Sequence, residues 1–376
     1  MVSYLGSLFR VPVLHTGGVL SRDVFSSSSK SLWVNYGLLD LLCPSSLSFM
    51  WSFGFVLGVS FLFQLVTGIL LTVHFRASSA FESVIFLSRE SFFGGLLRSL
   101  HGNGVSLFFV ALYLHVFRGL AFSSFTLLPV WSSGVVIFIL CVLVGFLGYS
   151  LPWAQMSFWA ASVITNLATA VPVIGGELAQ LVWGGYSVGS ATLSRFYSLH
   201  YLLPFVLLAL VVVHLLLLHL VHSHSPLFFK SESVKFNPFF TLKDLLSVVS
   251  FFTMLILLAF LFRAFFLEKE MFELANPLMS PEHIVPEWYF LPFYAVLRAV
   301  PSKLGGVVLM VFIFVLVLLF MLVNNNSLKS SFRFSSSWLW LLDWCLLFWA
   351  GSLPVVFPFD LVGKTISLVF FGSSLF

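Results

Sequence analysis

The chain has 376 residues, of which 60% are hydrophobic and 9% charged, with a formal net charge of +4 and a mean hydropathy of +1.07. Soluble domains carry about 25% charged residues, so this composition excludes a soluble enzyme and makes the membrane span the natural counting unit. The charge is too small and scattered for a nucleic-acid binder, and the widely separated Cys43, Cys141 and Cys345 suggest neither a disulfide framework nor a zinc site.

Residues 1–30 are rich in Ser and Gly and read as a surface tail; they lack the basic head and apolar core of a signal peptide. Residues 1–50 are expected to form an N-terminal surface segment ending in an amphipathic helix. A helix crosses a bilayer core with about 20 apolar residues. The first such run is 51–73, which has no formal charge and holds Gly54 and Gly68. The second, 99–117, holds His101 and His115 and is bracketed by Arg98 and Arg118. The third, 130–151, holds Gly134 and Gly148. Segment 152–195 mixes Pro, Trp and Gly with apolar stretches, as short helices lying at the interface would. The fourth span, 197–221, holds His200 and His214, and the fifth is 245–262. Segment 263–303 is too long for a plain connection, collects acids and prolines, and is expected to carry function. Runs at 305–323, about 338–357 and 361–376 complete the count, the last short and interrupted by Lys364. The expected fold is an all-α integral membrane protein with eight transmembrane helices, divided into 1–50, a four-helix bundle within 51–222, and a C-terminal unit at 223–376. An even number of spans puts both termini on one side; the loops on that side have the more positive net charge, but Lys and Arg, which set topology, are evenly split between the two sides.

Histidine spacing carries the chemistry. His101 and His115 are 14 residues apart, as are His200 and His214. Fourteen steps fall only about 40° short of four turns, so each pair shares a helix face, separated by about 21 Å along the axis. Spans two and four run in the same direction, so His101 and His200 share one depth and His115 and His214 the other. Histidine inside a membrane is costly and marks function more often than packing. Imidazole is a good axial ligand for haem iron, and two His pairs at two depths can clamp two b-type haems. With both axial positions filled by protein, such iron is suited to electron transfer. Gly54 and Gly68, and Gly134 and Gly148, repeat the 14-residue spacing and would let a flat porphyrin approach the backbone; ordinary small-residue packing is the alternative. Arg98 and Arg118 each lie one turn outside a histidine, where they could pair with haem propionates or anchor the span ends. A ferric-reductase-like oxidoreductase would also use paired histidines but needs a nucleotide-binding domain, for which no Gly-rich phosphate loop is present. A transporter with intramembrane histidines would not explain the glycine register.

The motifs WSFG at 51–54, GYSLPW at 148–153, QMSFW at 155–159, SVITN at 162–166, TLKD at 241–244, PEWYF at 286–290 and KLGG at 303–306 resemble the mitochondrial cytochrome b family, the di-haem subunit of ubiquinol–cytochrome c reductase (respiratory complex III). The resemblance runs from about Trp33 to Asp360. It implies a multi-pass protein of the mitochondrial inner membrane with both termini on the matrix side, and ubiquinol and ubiquinone as substrates. It further implies a homodimer, with a Rieske iron–sulfur protein, a membrane-anchored c-type cytochrome, other complex III subunits and membrane lipids as partners. On the intermembrane-space side it implies a quinol-oxidation site at Glu287, Tyr294, Tyr149 and Phe146. A carboxylate in an apolar pocket suits proton acceptance there. On the matrix side it implies a quinone-reduction site at His219, Asp244 and Ser223. One quinol electron would go to the iron–sulfur partner and the other across the membrane, with proton translocation. The chain departs from the family at Ala154 and Ala160, where glycine is usual and where added methyl groups should narrow the quinol pocket. It departs also at Leu220 and His224 near the matrix-side site, at Pro292, which loosens the placement of Tyr294, and at a shortened C-terminal helix.

Overall fold

A computed structural model describes residues 41–223, 232–319 and 331–374. His224 and most of the N-terminal surface segment lie outside these residues. Twelve α-helices are described: α1 (Phe53–Thr72), α2 (Ala80–Arg89), α3 (Gly94–Ala121), α4 (Leu128–Ser150), α5 (Gln155–Asn166), α6 (Gly175–Trp183), α7 (Ser190–Val221), α8 (Phe236–Leu261), α9 (Leu291–Ala299), α10 (Lys303–Leu319), α11 (Ser331–Ser352) and α12 (Phe359–Ser373). Helices occupy all eight expected span positions. Among the described residues, α1, α3, α4, α7 and α8 are long and apolar enough to cross a membrane, while α10 is a shorter apolar helix. With 15 residues, α12 extends about 22 Å, against about 30 Å of hydrocarbon. Segment 152–195 holds the short helices α5 and α6.

Local chemistry sets the element ends. Pro129 stands in the first turn of α4, where its missing N–H costs nothing. The turn from α2 into α3 is so close that a Cβ on Gly94 would lie 2.0 Å from Leu87 O, so only glycine fits. Several hydroxyls inside the spans are satisfied within their own helix, as where Ser60 donates to Leu57 O and Thr67 to Phe63 O, while Ser99 of α3 donates across to Ala259 O of α8. Such internal pairing is what a lipid environment demands. A two-stranded antiparallel ribbon, β1 (Leu42–Pro44) with β2 (Ser233–Lys235), pairs Cys43 with Val234 and ties the segment before α1 to the start of α8.

Packing then joins the helices. Helix α1 lies along α3 and α4 along α7, α8 covers α1 and α3, and α9 packs among α10, α11 and α12. The main core is aromatic and joins both halves of the chain. Phe109 stacks on Tyr289 with centroids 4.1 Å apart, and Phe293 stacks on Phe314 at 5.0 Å. Much of α7 instead presents exposed apolar side chains, among them Leu202, Val206, Val212 and Leu216, a surface made for lipid or a partner helix.

Candidate functional site

The four histidines and four glycines come together in the register that their spacing predicts. A Cβ on Gly68 would lie 3.2 Å from His101 Cε1, on Gly148 2.5 Å from His200 Cε1, on Gly54 3.3 Å from His115 Cε1 and on Gly134 3.2 Å from His214 Cε1. Each imidazole is therefore seated against a glycine of the neighbouring helix, α1 serving α3 and α4 serving α7. His101 and His200 both line one cavity of about 460 Å³, together with Gly68 and Gly148. At the other depth, His115 and His214 lie within electrostatic reach of each other.

Second partners fix the rings, and these were not foreseen from sequence. His200 Nδ1 lies 3.0 Å from Val144 O; a carbonyl can only accept, so this nitrogen carries the proton. Thr67 Oγ1 lies 2.9 Å from His101 Nδ1 while its hydroxyl hydrogen has Phe63 O at 2.9 Å. Ser133 Oγ lies 2.8 Å from His214 Nδ1 while its hydrogen has Val130 O at 2.9 Å. With each hydroxyl proton directed to its own helix, both oxygens are placed to accept from Nδ1–H; the Gln64 amide also reaches His101 Nδ1, at 3.0 Å, and the Val130 carbonyl also engages the His214 ring. In these three rings Nε2 keeps its lone pair, the arrangement a metal-ligating histidine requires. These residues fit the expected iron porphyrins. The fourth ring differs: Arg118 Nη2 donates to His115 Nδ1 at 3.3 Å, so ligation through Nε2 would need Arg118 to turn away, which its other role, pairing a propionate, would do. Arg98 lines the cavity and donates to Ser88 Oγ at 3.1 Å.

The same cavity extends to Glu287 and Tyr149, so two expected quinol-site residues adjoin the His101–His200 end. Burial, reinforced by the charge of Glu268, pushes the Glu287 carboxyl up to about 8. Its position is set from α3: Phe109 and Tyr113, one turn apart on a shared face, stack on Tyr289 and donate a hydrogen bond to Tyr289 O respectively. Tyr294 and Phe146 are not among the cavity-lining residues. Tyr294 Oη donates to Ile284 O at 3.2 Å, and its ring lies 4.3 Å beneath the Arg298 guanidinium. Phe146 packs edge-on against Phe196 in the core. Pro292 is accommodated in the first turn of α9, so it does not disturb Tyr294. Ala154 and Ala160 are buried, and neither lines the cavity; Ala154 packs in one cluster with Tyr149 and Met271, which do.

A latch holds the loop before Glu287 to the α4–α5 connection. Ala154 bridges Leu274 in antiparallel fashion, Gln155 N donates to Glu273 O, and Asn276 N donates to Gln155 Oε1. The QMSFW motif includes Gln155 but does not name its partners, which lie more than a hundred residues away.

At the opposite end, Ser52 Oγ donates to Asp244 Oδ1 at 2.7 Å, and Lys243 Nζ donates to Ser48 O at 2.9 Å. His219 stands in the last turn of α7, and Ser223 follows the helix end. Among the described residues no hydrogen bond joins either of them to Asp244, so this group is gathered at one end of the bundle without direct contact.

Two family models match the chain: one described as cytochrome b/b6/petB over residues 38–222 and one as the cytochrome b C-terminal, b6/petD type over residues 274–371. A solved structure titled "Hyperthermophilic respiratory Complex III" superposes with a TM-score of 0.83 at 30% identity, covering 89% of this chain and 91% of that one.

Proposed function

The chain belongs to the cytochrome b/b6 family, and from that membership we propose that it is the di-haem, quinol-oxidising subunit of a respiratory complex III. One haem would be held by His101 and His200 and the other by His115 and His214, with Arg98 and Arg118 toward their propionates. When bound, these groups supply one-electron transfer between the two faces of the membrane. The observation that carries the reading is the fourfold match of imidazole to glycine, with Nδ1 already engaged in three of the four rings.

The chain's own residues handle the protons and the substrate. Glu287, raised by burial to about 8, accepts a quinol proton in the cavity, with Tyr149 lining the same space; Tyr294 and Phe146, which the family resemblance also assigns to quinol, stand outside that lining. At the far end His219, Asp244 and Ser223 bind quinone and deliver protons to it. Proton release at one face and uptake at the other couples the reaction to a membrane potential. The proposed setting is the mitochondrial inner membrane, with Glu287 toward the intermembrane space and both termini toward the matrix; this orientation rests on the family resemblance, because Lys and Arg, which set topology, divide evenly between the two sets of loops. Proposed partners are a Rieske iron–sulfur protein, a c-type cytochrome, further complex III subunits and a second copy of this chain.

The test is a dithionite-reduced optical spectrum of the purified complex, repeated with His115 or His214 replaced. Two b-type signals, one of them lost in each variant, are expected; colourless protein or simultaneous loss of both signals would overturn the pairing.

A further inference from the structure

The two hydroxyls that meet the imidazoles follow a common pattern. Thr67 immediately precedes Gly68, and both touch His101; Ser133 immediately precedes Gly134, and both touch His214. The pairs sit on different helices, α1 and α4, and at different depths. Each depth therefore receives one hydroxyl acceptor. Thr67 is buried, and its proton has two carbonyls in reach, Phe63 O at 2.9 Å and Gln64 O at 3.1 Å. Its lone pair is thus directed across the helix interface at Nδ1, and Ser133 is held the same way by Val130 O.

We propose that Thr67 and Ser133 are positioning residues that separately set the ring orientation and the reduction potential of the two haems, Thr67 through His101 and Ser133 through His214. The inference rests on the haem assignment above. The physical basis is simple. An acceptor on Nδ1–H gives the imidazole partial anionic character, raises the basicity of Nε2 and favours the oxidised iron. Removing the hydroxyl takes away one acceptor, although Gln64 still reaches His101 and Val130 O still engages His214, and moves the potential in the positive direction. Because each hydroxyl serves one ring, each substitution acts on one haem.

The experiment is an optical redox titration of the purified complex carrying T67V, T67S or S133A, with both b-type signals followed in each sample. T67V keeps the shape of the side chain without its oxygen and should shift only the His101–His200 haem to a more positive midpoint; T67S should restore the native value. S133A should shift only the other haem. If T67V loses its haem while T67S keeps it at the native potential, the hydroxyl is again the determinant. Unchanged midpoints in T67V and S133A, a joint shift of both haems, or a T67S protein that behaves like T67V would each overturn the proposal. Wild-type protein with no quinol-reducible haem would instead sink the assignment on which it rests.

Discussion

Glu287 joins an apolar cavity to an acidic neighbour, and both raise its affinity for a proton. Burial is the larger cause and the charge of Glu268 the smaller, together holding the carboxyl at about 8. Two opposite pH dependences result. Since the folded value exceeds the unfolded one, the group's contribution to stability is full below the ordinary carboxylate range and fades as pH rises through about 8. Proton acceptance from quinol needs the deprotonated form, so the rate should climb over the same interval and level off above it. Glu287→Gln should abolish that limb and lower quinol oxidation on the order of 100-fold, with both haem spectra intact. A pH–rate profile of wild type and variant checks this; an unchanged limb in the variant would assign it to another group.

Helix α9 shows how an element far from the histidines can shape the site. From α9, Arg298 donates to two of the last carbonyls of α11, Ala350 O at 2.9 Å and Gly351 O at 3.0 Å, and to Leu353 O just past its end at 3.0 Å, while its guanidinium covers Tyr294. A cation at a helix C-terminus satisfies carbonyls that would otherwise lack donors. Arg298→Ala should therefore cost about 2 kcal/mol, visible as a lower unfolding midpoint, and Arg298→Lys should recover only part of it. Ala154 is the other informative position. Its methyl packs behind Tyr149 and Met271 instead of facing the cavity, so narrowing acts through those two side chains. Ala154→Gly should tighten a methoxyacrylate-type inhibitor by about tenfold, roughly 1.4 kcal/mol; an unchanged inhibition curve would show that the wall does not move. These elements also mark what was readable beforehand. Spans, histidine register and glycine register were legible because each is a short-range period on one helix. Thr67, Ser133, Gln155 and Arg298 were not, because their partners are set by which helices meet, and side chains so paired leave no spacing signature.

At the scale of the molecule, the two carboxylates lie at opposite ends of one bundle. Glu287 shares a cavity with His101 and His200. Asp244 is bonded by Ser52, two residues before Gly54, which seats His115. The histidine registers are about 21 Å apart along the helix axis, so a proton taken at one carboxylate has no short route to the other. The ends are nonetheless mechanically joined, because α3 carries His101, His115 and the Phe109–Tyr113 face that grips Tyr289. This separation predicts that the two half-reactions can be impaired independently. In rapid-mixing measurements, Glu287→Gln should slow haem reduction by quinol when the far site is blocked by inhibitor, and leave haem reoxidation by quinone unchanged. Asp244→Asn should do the reverse, slowing reoxidation by about tenfold or more while reduction through the Glu287 cavity proceeds at the native rate. If both substitutions slowed the same phase, the carboxylates would serve a single site, and proton release at one face with uptake at the other would lose its structural basis.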